Sequence, residues 1–414
     1  MHLNPAKQER LPQLDLFRSL AILGVLHVHA TSLAAGGQAI DSPYFYWLNG
    51  INIFFRFGTP SFIFLSSFVL FYNYYGRPVT RSLIGNFYRR RLIYILLPYL
   101  LASIGYYGLT VSINQTWGRS PGEHLYSFLA ALFTGNAYTH LYFVFISIQF
   151  YVLFPLVLRL LQTSRQLIRW IIPLGLALQW GFSIWNKYQL HLVEKGSVAL
   201  SYFAYYLMGA YIAIHFEDIK SWLLTPWHQL PGQHKRLVVL LWGSWFIAAF
   251  IHMQLWYEGR HNGVWANSLW YELAWNVHTM LSALVLLKAA FLISRGAPRV
   301  IIAFLTRLGE LSFAIYLLHP LLLAIYRRFR YSISPKSFTY VLFIYGGLVV
   351  ALGGSWLIVQ FAFRRIRLAW VAFGSVPRSL APSQKPSPEH ASIRRVKNGV
   401  RMTSEDSPKV KIEG

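Results

Sequence analysis

The sequence predicts an all-α polytopic membrane protein of about ten transmembrane helices around a lumenal cavity, and three observations carry that expectation. Of its 414 residues, 55% are hydrophobic and only 13% charged, a balance too apolar for an ordinary soluble chain. Apolar runs of about 20 residues, the length that crosses a bilayer as a helix, recur along most of it. The 38 Lys and Arg against 14 Asp and Glu give a net charge of +24. These cations flank the apolar runs and gather on alternate connections, which is a membrane pattern and argues against a nucleic-acid partner.

The predicted spans are residues 14–36, 51–73, 92–113, 140–161, 167–185, 198–216, 237–256, 269–293, 311–327 and 338–362. An even number puts both termini on one side. The second connection holds Arg77, Arg81, Arg89, Arg90 and Arg91, the fourth Arg159, Arg165 and Arg169, and the next two even ones Lys220, Lys235, Arg236, Arg295, Arg299 and Arg307. The excess of cations assigns these connections and both termini to the cytoplasmic side of the cell (plasma or inner) membrane. Four of the odd connections carry only Arg119, Lys187, Lys195 and Arg260 between them. The last odd loop departs from the rule with Arg327, Arg328, Arg330 and Lys336, so either the ninth span is set wrongly or that loop binds something anionic.

The first apolar run begins near residue 14 and shows no small-residue cleavage site, so it is expected to stay as a span. Two regions follow: a membrane domain over residues 1–370, and a basic cytoplasmic tail over 371–414 whose Pro, Ser and scattered charge predict disorder. The chain has no cysteine, which excludes disulfides, thiolate metal sites and a cysteine-bound acyl intermediate. No metal is expected.

Ionisable groups inside the spans are the candidates for chemistry, because burying them in lipid costs several kcal/mol and is seldom tolerated without function. In LDLFRSLAILGVLHVH (14–29) the step from Arg18 to His29 closes three helical turns to within about 20° and separates the two by roughly 16 Å. Both are therefore expected to line one water-accessible shaft, Arg18 near an interface and His29 deeper. His27 points to the opposite face. The plain alternative for either histidine is a hydrogen bond across two helices. Asp15, one turn before Arg18, is placed to pair with it. Further on, Gly309, Ser312, Tyr316 and His319 share one face of the ninth span, a stripe that should meet a cavity or a partner helix. Pro320 should loosen the turn before it.

These segments resemble the acyltransferase 3 family of membrane acyltransferases, whose signature is an arginine, ten residues, then a histidine. Arg18 and His29 satisfy it. RFGTPSFIFLSSF (56–68), RRRLIYILLPYL (89–100), HLYFVFISIQFYVLFP (140–155) and SFAIYLLHP (312–320) resemble other family motifs in order. Ser67 stands where the family often has glycine, and Ser147 or Ile148 where many members carry a glutamate. The Gln149 version is more like members that modify exopolysaccharides, the intercellular-adhesin type among them.

The resemblance implies transfer of an acyl group, acetyl or succinyl, from cytoplasmic acyl-coenzyme A to a hydroxyl of a surface polysaccharide or lipid-linked glycan. The lipid bilayer, acyl-CoA and a glycan acceptor are then the partners. Arg18 with Arg89, Arg90 and Arg91 would grip the coenzyme A phosphates. His29 would serve as general base or acylated intermediate, and Arg18 and His319 complete the expected catalytic set. Tyr316, Ser312, Arg56 and Glu272 would contact the acceptor. The competing readings are a polysaccharide exporter or flippase without acyl transfer, and a lipid-linked-sugar glycosyltransferase using Asp41 in the first outward loop.

Overall fold

The computed structural model describes residues 9–37, 40–330 and 333–380. Among these residues every regular element is helical. Nine helices are long and apolar enough to cross a membrane, and a bent pair makes a tenth.

The first span is α1 (Gln13–Gly37). The second is broken: α2 (Phe45–Phe54) passes through a tight turn at Phe55–Phe57 into α3 (Gly58–Tyr74). The third begins earlier than predicted, with α4 (Arg81–Arg91) running through a π-helical turn at Leu92–Leu96 into α5 (Leu97–Ile113). Thr80 caps α4 through Leu83 N–H at 3.1 Å, so a helix start stands eleven residues ahead of the apolar run. A short helix, α6 (Pro121–Thr134), opens on a Ser120/Glu123 capping box and ends on Gly135 in the left-handed region. Its Leu125, Tyr126 and Phe133 are exposed, as suits a helix lying at a lipid interface.

Two hairpin partners follow, α7 (Tyr142–Thr163) and α8 (Arg165–Trp185), with Ser164 capping the second. The predicted sixth span is bent: a 3-10 turn at Ala199–Tyr202 leads into α9 (Phe203–Ile214), which turns by 85° into α10 (Phe216–Leu224). Buried Lys288 holds the end of α10, its ammonium 2.5 Å from the Trp222 carbonyl, where a cation meets the negative end of the helix dipole. Three long helices come next, α11 (Gly232–Asn262), α12 (Ser268–Gly296) and α13 (Arg299–Arg327). The ninth span thus starts twelve residues before its predicted edge, with apolar turns at 300–305 that Arg307 and Glu310 separate from the predicted run. The last span is α14 (Phe338–Val349) continued by α15 (Ser355–Arg365).

Past it, α16 (Ala369–Phe373) packs Phe373 against Phe363 with ring centres 6.1 Å apart. The chain divides into Met1–Val376 and Pro377–Gly414. The second unit is described only to residue 380, with a 3-10 turn at Arg378–Leu380; the rest of the predicted tail lies outside the described residues.

The helix that matters most is α1, because it belongs to both large apolar clusters. Leu16, Phe17 and Ala21 pack with residues of α3, α7, α9 and α12. Ile22, Val25 and Leu26 pack with residues of α5 and α13. Such a helix is held on all sides, so a polar residue on it either finds a partner or faces a cavity. Two close crossings set the frame. A Cβ at Gly309 of α13 would stand 1.8 Å from the Asp15 carbonyl oxygen, and one at Gly209 of α9 would stand 2.3 Å from that of Phe64. Ser67, beside that second crossing, donates to the Tyr206 carbonyl at 2.5 Å.

Candidate active site

Beside His29 lies a cavity of about 200 Å³. Its walls include Val25, Val28 and His29 of α1, Phe55 and Arg56 of the turn before α3, Thr59 of α3, Tyr142 of α7, Trp275 of α12 and Tyr316 of α13. Tyr142 and Thr59 share a hydrogen bond of 3.0 Å across it. Arg56 and Trp275 also line a larger vestibule of about 450 Å³, together with Ser183, Lys195, His252, Trp256 and Glu272. Both lie towards the face at which α1 ends.

Three imidazoles cluster on the helix side of the cavity. The ring of His29 is 5.0 Å from that of His319 and 6.4 Å from that of His140, which is 5.8 Å from His319. His319 Nδ1 stands 3.1 Å from the Ile315 carbonyl; a carbonyl only accepts, so Nδ1 carries the hydrogen and Nε2 is buried without a partner. Both nitrogens of His140 are also buried and unpartnered. Among the described residues no group of three His, Cys, Asp or Glu is arranged to hold a metal ion. Buried ring nitrogens left free around a cavity are unusual in a protein interior and mark groups kept for a ligand or a proton.

The backbone around His29 is pinned from three sides. Arg327 donates to the carbonyls of His29 at 2.5 Å and Ala30 at 3.3 Å, Asn52 donates to that of Val28 at 3.1 Å, and Ser32 donates to that of His29 at 2.8 Å. On α13, Pro320 breaks the hydrogen-bond ladder and Tyr106 repairs it. Its hydroxyl donates to the Leu317 carbonyl at 2.7 Å and accepts from Leu321 N–H at 3.1 Å, an insertion that bends a helix at a defined place. We expect Tyr106→Phe to leave both backbone groups buried and unpaired, lowering stability by about 1–3 kcal/mol. Thermal unfolding of the protein in nanodiscs measures it.

The residues predicted from the sequence divide accordingly. His29, Tyr316 and Arg56 share the cavity, with His319 in ring contact behind. Tyr316 donates to the His140 carbonyl. Glu272 lies in the vestibule, where it accepts from Ser183 at 2.5 Å and from Lys195 at 2.6 Å. Ser312 is placed elsewhere: its hydroxyl donates to the Gly309 carbonyl at 2.8 Å, in the part of α13 that touches α1, and it does not line the cavity. Arg18 also lies apart. It is one-third exposed and paired with Asp15 at 2.5 Å, while Arg10 reaches the same carboxylate at 2.9 Å. The expected single shaft from Arg18 to His29 is therefore not what the cavity shows, since its wall does not include Arg18. Close to Arg18, at Asp15, Gly309 lets α13 meet the α1 backbone. Arg89 and Arg90 are exposed at the end of α4, and Arg91 lies 4.9 Å over the Tyr151 ring.

His27, the partner on the other face of α1, is bonded to the Leu23 carbonyl at 2.7 Å and stacked on Phe55 at 4.1 Å. The basic last odd loop resolves in part: Arg327 is bound to α1 as described, Arg330 lies 5.3 Å over the Tyr340 ring, and Lys336 is paired with Asp41. The Lys336 hydrogen bond holds the Asp41 carboxyl below its ordinary range. Sequence reasoning missed His140, although it opens the quoted segment 140–155 and is an ionisable residue at the head of an apolar run. It also missed Tyr106 and Trp256, for which the sequence offers no periodic signal.

Fold and site together define an integral membrane protein with a histidine-lined cavity among its spans. The family model described as an acyltransferase domain matches residues 11–360, and the chain belongs to the acyltransferase 3 family of membrane acyltransferases. No curated protein and no solved structure matches it.

Proposed function

We propose that this membrane acyltransferase moves an acetyl or succinyl group from acyl-CoA, bound at the cytoplasmic face, to a hydroxyl of a surface polysaccharide or lipid-linked glycan at the opposite face. The observation that carries this reading is His29 in the wall of a cavity, with His319 5.0 Å behind it, in a chain of this family. The acceptor hydroxyl gives its proton to the His29 imidazole as its oxygen attacks the thioester carbonyl carbon; the C–O bond forms, the C–S bond breaks, and the proton passes to the departing sulfur. Arg56 on the same wall meets the bound substrate, while Tyr316, whose hydroxyl is given to the His140 carbonyl, shapes that wall. The guanidinium groups of Arg18, Arg89, Arg90 and Arg91 bind the coenzyme A phosphates. The excess of cations on these connections supports a cytoplasmic position for this basic face.

Purified protein in nanodiscs, given acetyl- or succinyl-CoA with surface glycan as acceptor, should release coenzyme A thiol and acylate the glycan. Export of glycan with no thiol release would assign the protein to transport. Arg18→Lys keeps the charge and loses the planar fork, so the apparent KM for acyl-CoA should rise about three- to tenfold with kcat nearly unchanged. An unaltered donor response would remove Arg18 from donor binding.

A further inference from the structure

Arg56 stands at the junction of the cavity and the vestibule, and among the described residues its charge has no anionic partner. Among the described residues its guanidinium has two partners, neither of them anionic: the Asn52 amide oxygen at 3.3 Å and the face of Trp256, whose ring centre lies 4.4 Å away. No carboxylate of the described residues lies within ion-pair distance of it. A second guanidinium, that of Arg260, lies 4.9 Å from the same ring and is bonded to the Asn49 amide oxygen at 2.6 Å; among the described residues it too has no carboxylate within that distance. The vestibule's carboxylate, Glu272, is already engaged by Lys195 and Ser183. Two cations on one indole, each held by a neutral amide, form an electropositive pair among membrane helices, where an uncompensated charge is expensive.

We propose that Arg56 receives a carboxylate or phosphate group of the molecule that reacts at His29, so that the substrate reaching this cavity is an anion. The planar fork of a guanidinium matches both groups with two parallel hydrogen bonds. Trp256 and Asn52 fix its plane before the ligand arrives, which reduces the ordering cost of binding. The arrangement also explains why the vestibule wall brings Arg56, Lys187 and Lys195 against one carboxylate. The anionic group has two possible sources: the far end of a dicarboxylic acyl group such as succinyl, or an acidic sugar or sugar phosphate of the acceptor. The inference rests on reading the His29 cavity as the place of transfer.

The test uses the full-length protein in nanodiscs with no acyl donor present, and reads binding by saturation-transfer NMR with succinate, glucuronate, glucose 6-phosphate and glucose as probes. At least one anion should bind more tightly than glucose, and its affinity should fall about tenfold or more in Arg56→Gln, the loss expected for hydrogen bonds to a charged group. Arg56→Lys should recover part of it. Glucose should not distinguish the three proteins. A response to succinate alone assigns the anion to the acyl group, and a response to glucuronate or glucose 6-phosphate assigns it to the acceptor. Equal binding of every anion to wild type and Arg56→Gln overturns the proposal, as does binding of no anion above glucose. Should Arg56→Gln elute as aggregate, the wild-type preference for anions and the comparison with Arg56→Lys decide. Because the readout needs no turnover, failure of acyl transfer in His29 variants leaves this result standing.

Discussion

His29→Ala is expected to lower acyl transfer by about 10²–10⁴-fold, the contribution typical of a positioned base, while the protein inserts and accumulates normally. His27→Ala, two residues away, should retain nearly all activity. The contrast follows from their surroundings. His29 lines the cavity with Arg56 and Tyr316 and meets the rings of His319 and His140. His27 is committed to the Leu23 carbonyl and the Phe55 ring, so its loss removes one hydrogen bond and packing behind Phe55 and leaves His29, Arg56 and Tyr316 in the cavity wall. Thiol release from acyl-CoA by equal amounts of each variant, normalised to detergent-extracted protein, makes the comparison. Equal activity in both would take His29 out of the mechanism. A His29→Ala protein that folds yet retains transfer would shift the base to His319 or His140, whose buried nitrogens are the remaining candidates.

Gly309→Ala is expected to destabilise the membrane domain by several kcal/mol and to abolish activity with it. The new methyl would stand 1.8 Å from the Asp15 carbonyl oxygen, a backbone atom that cannot swing aside as a side chain would. The two helices would have to part by roughly 1 Å, and close-packed interiors resist such a shift, overpacking alone costing about 1–3 kcal/mol. Separation would also pull α13 away from α1 along the length that brings His319 to His29. Gly105→Ala is the matched control: a Cβ there meets nothing within 4 Å, and alanine in a helix interior is favoured by about 0.5–1 kcal/mol. It should be neutral or slightly stabilising. Thermal unfolding and size-exclusion profiles of both variants would separate the two; a Gly309→Ala protein as stable as Gly105→Ala would show that the crossing yields easily.

The membrane spans were legible because lipid demands a continuous apolar run of fixed length, and that demand leaves a mark any local window detects. Their edges were not: at the third span a Thr80-capped polar stretch prolongs the helix ahead of the apolar run, and α13 starts at Arg299 with apolar turns that Arg307 and Glu310 separate from the predicted span. The bend between α9 and α10 was invisible for a related reason: a run apolar enough to cross does not state that it crosses straight. Of the site, the helical period correctly separated His29 from His27 and grouped Tyr316 with His319. The same period placed Arg18 on His29's stripe and Ser312 on that of Tyr316, and both fell outside the cavity. A stripe shared along one helix says nothing of what covers it, and here α13 follows α1 from Asp15 to Ala30 while the cavity opens only beside Val25, Val28 and His29.

By itself the sequence determined the class of protein, the number of spans within one, and several of the ionisable residues that had to be accounted for in lipid, His29 and His319 among them, since each of these depends on local composition and helical period. Which of those residues meet was decided only by tertiary packing. A glycine at one crossing, a tyrosine hydroxyl inserted beside a proline and an indole between two guanidinium groups bring together residues as far apart in the chain as Arg56 and Arg260, through contacts that no local pattern encodes.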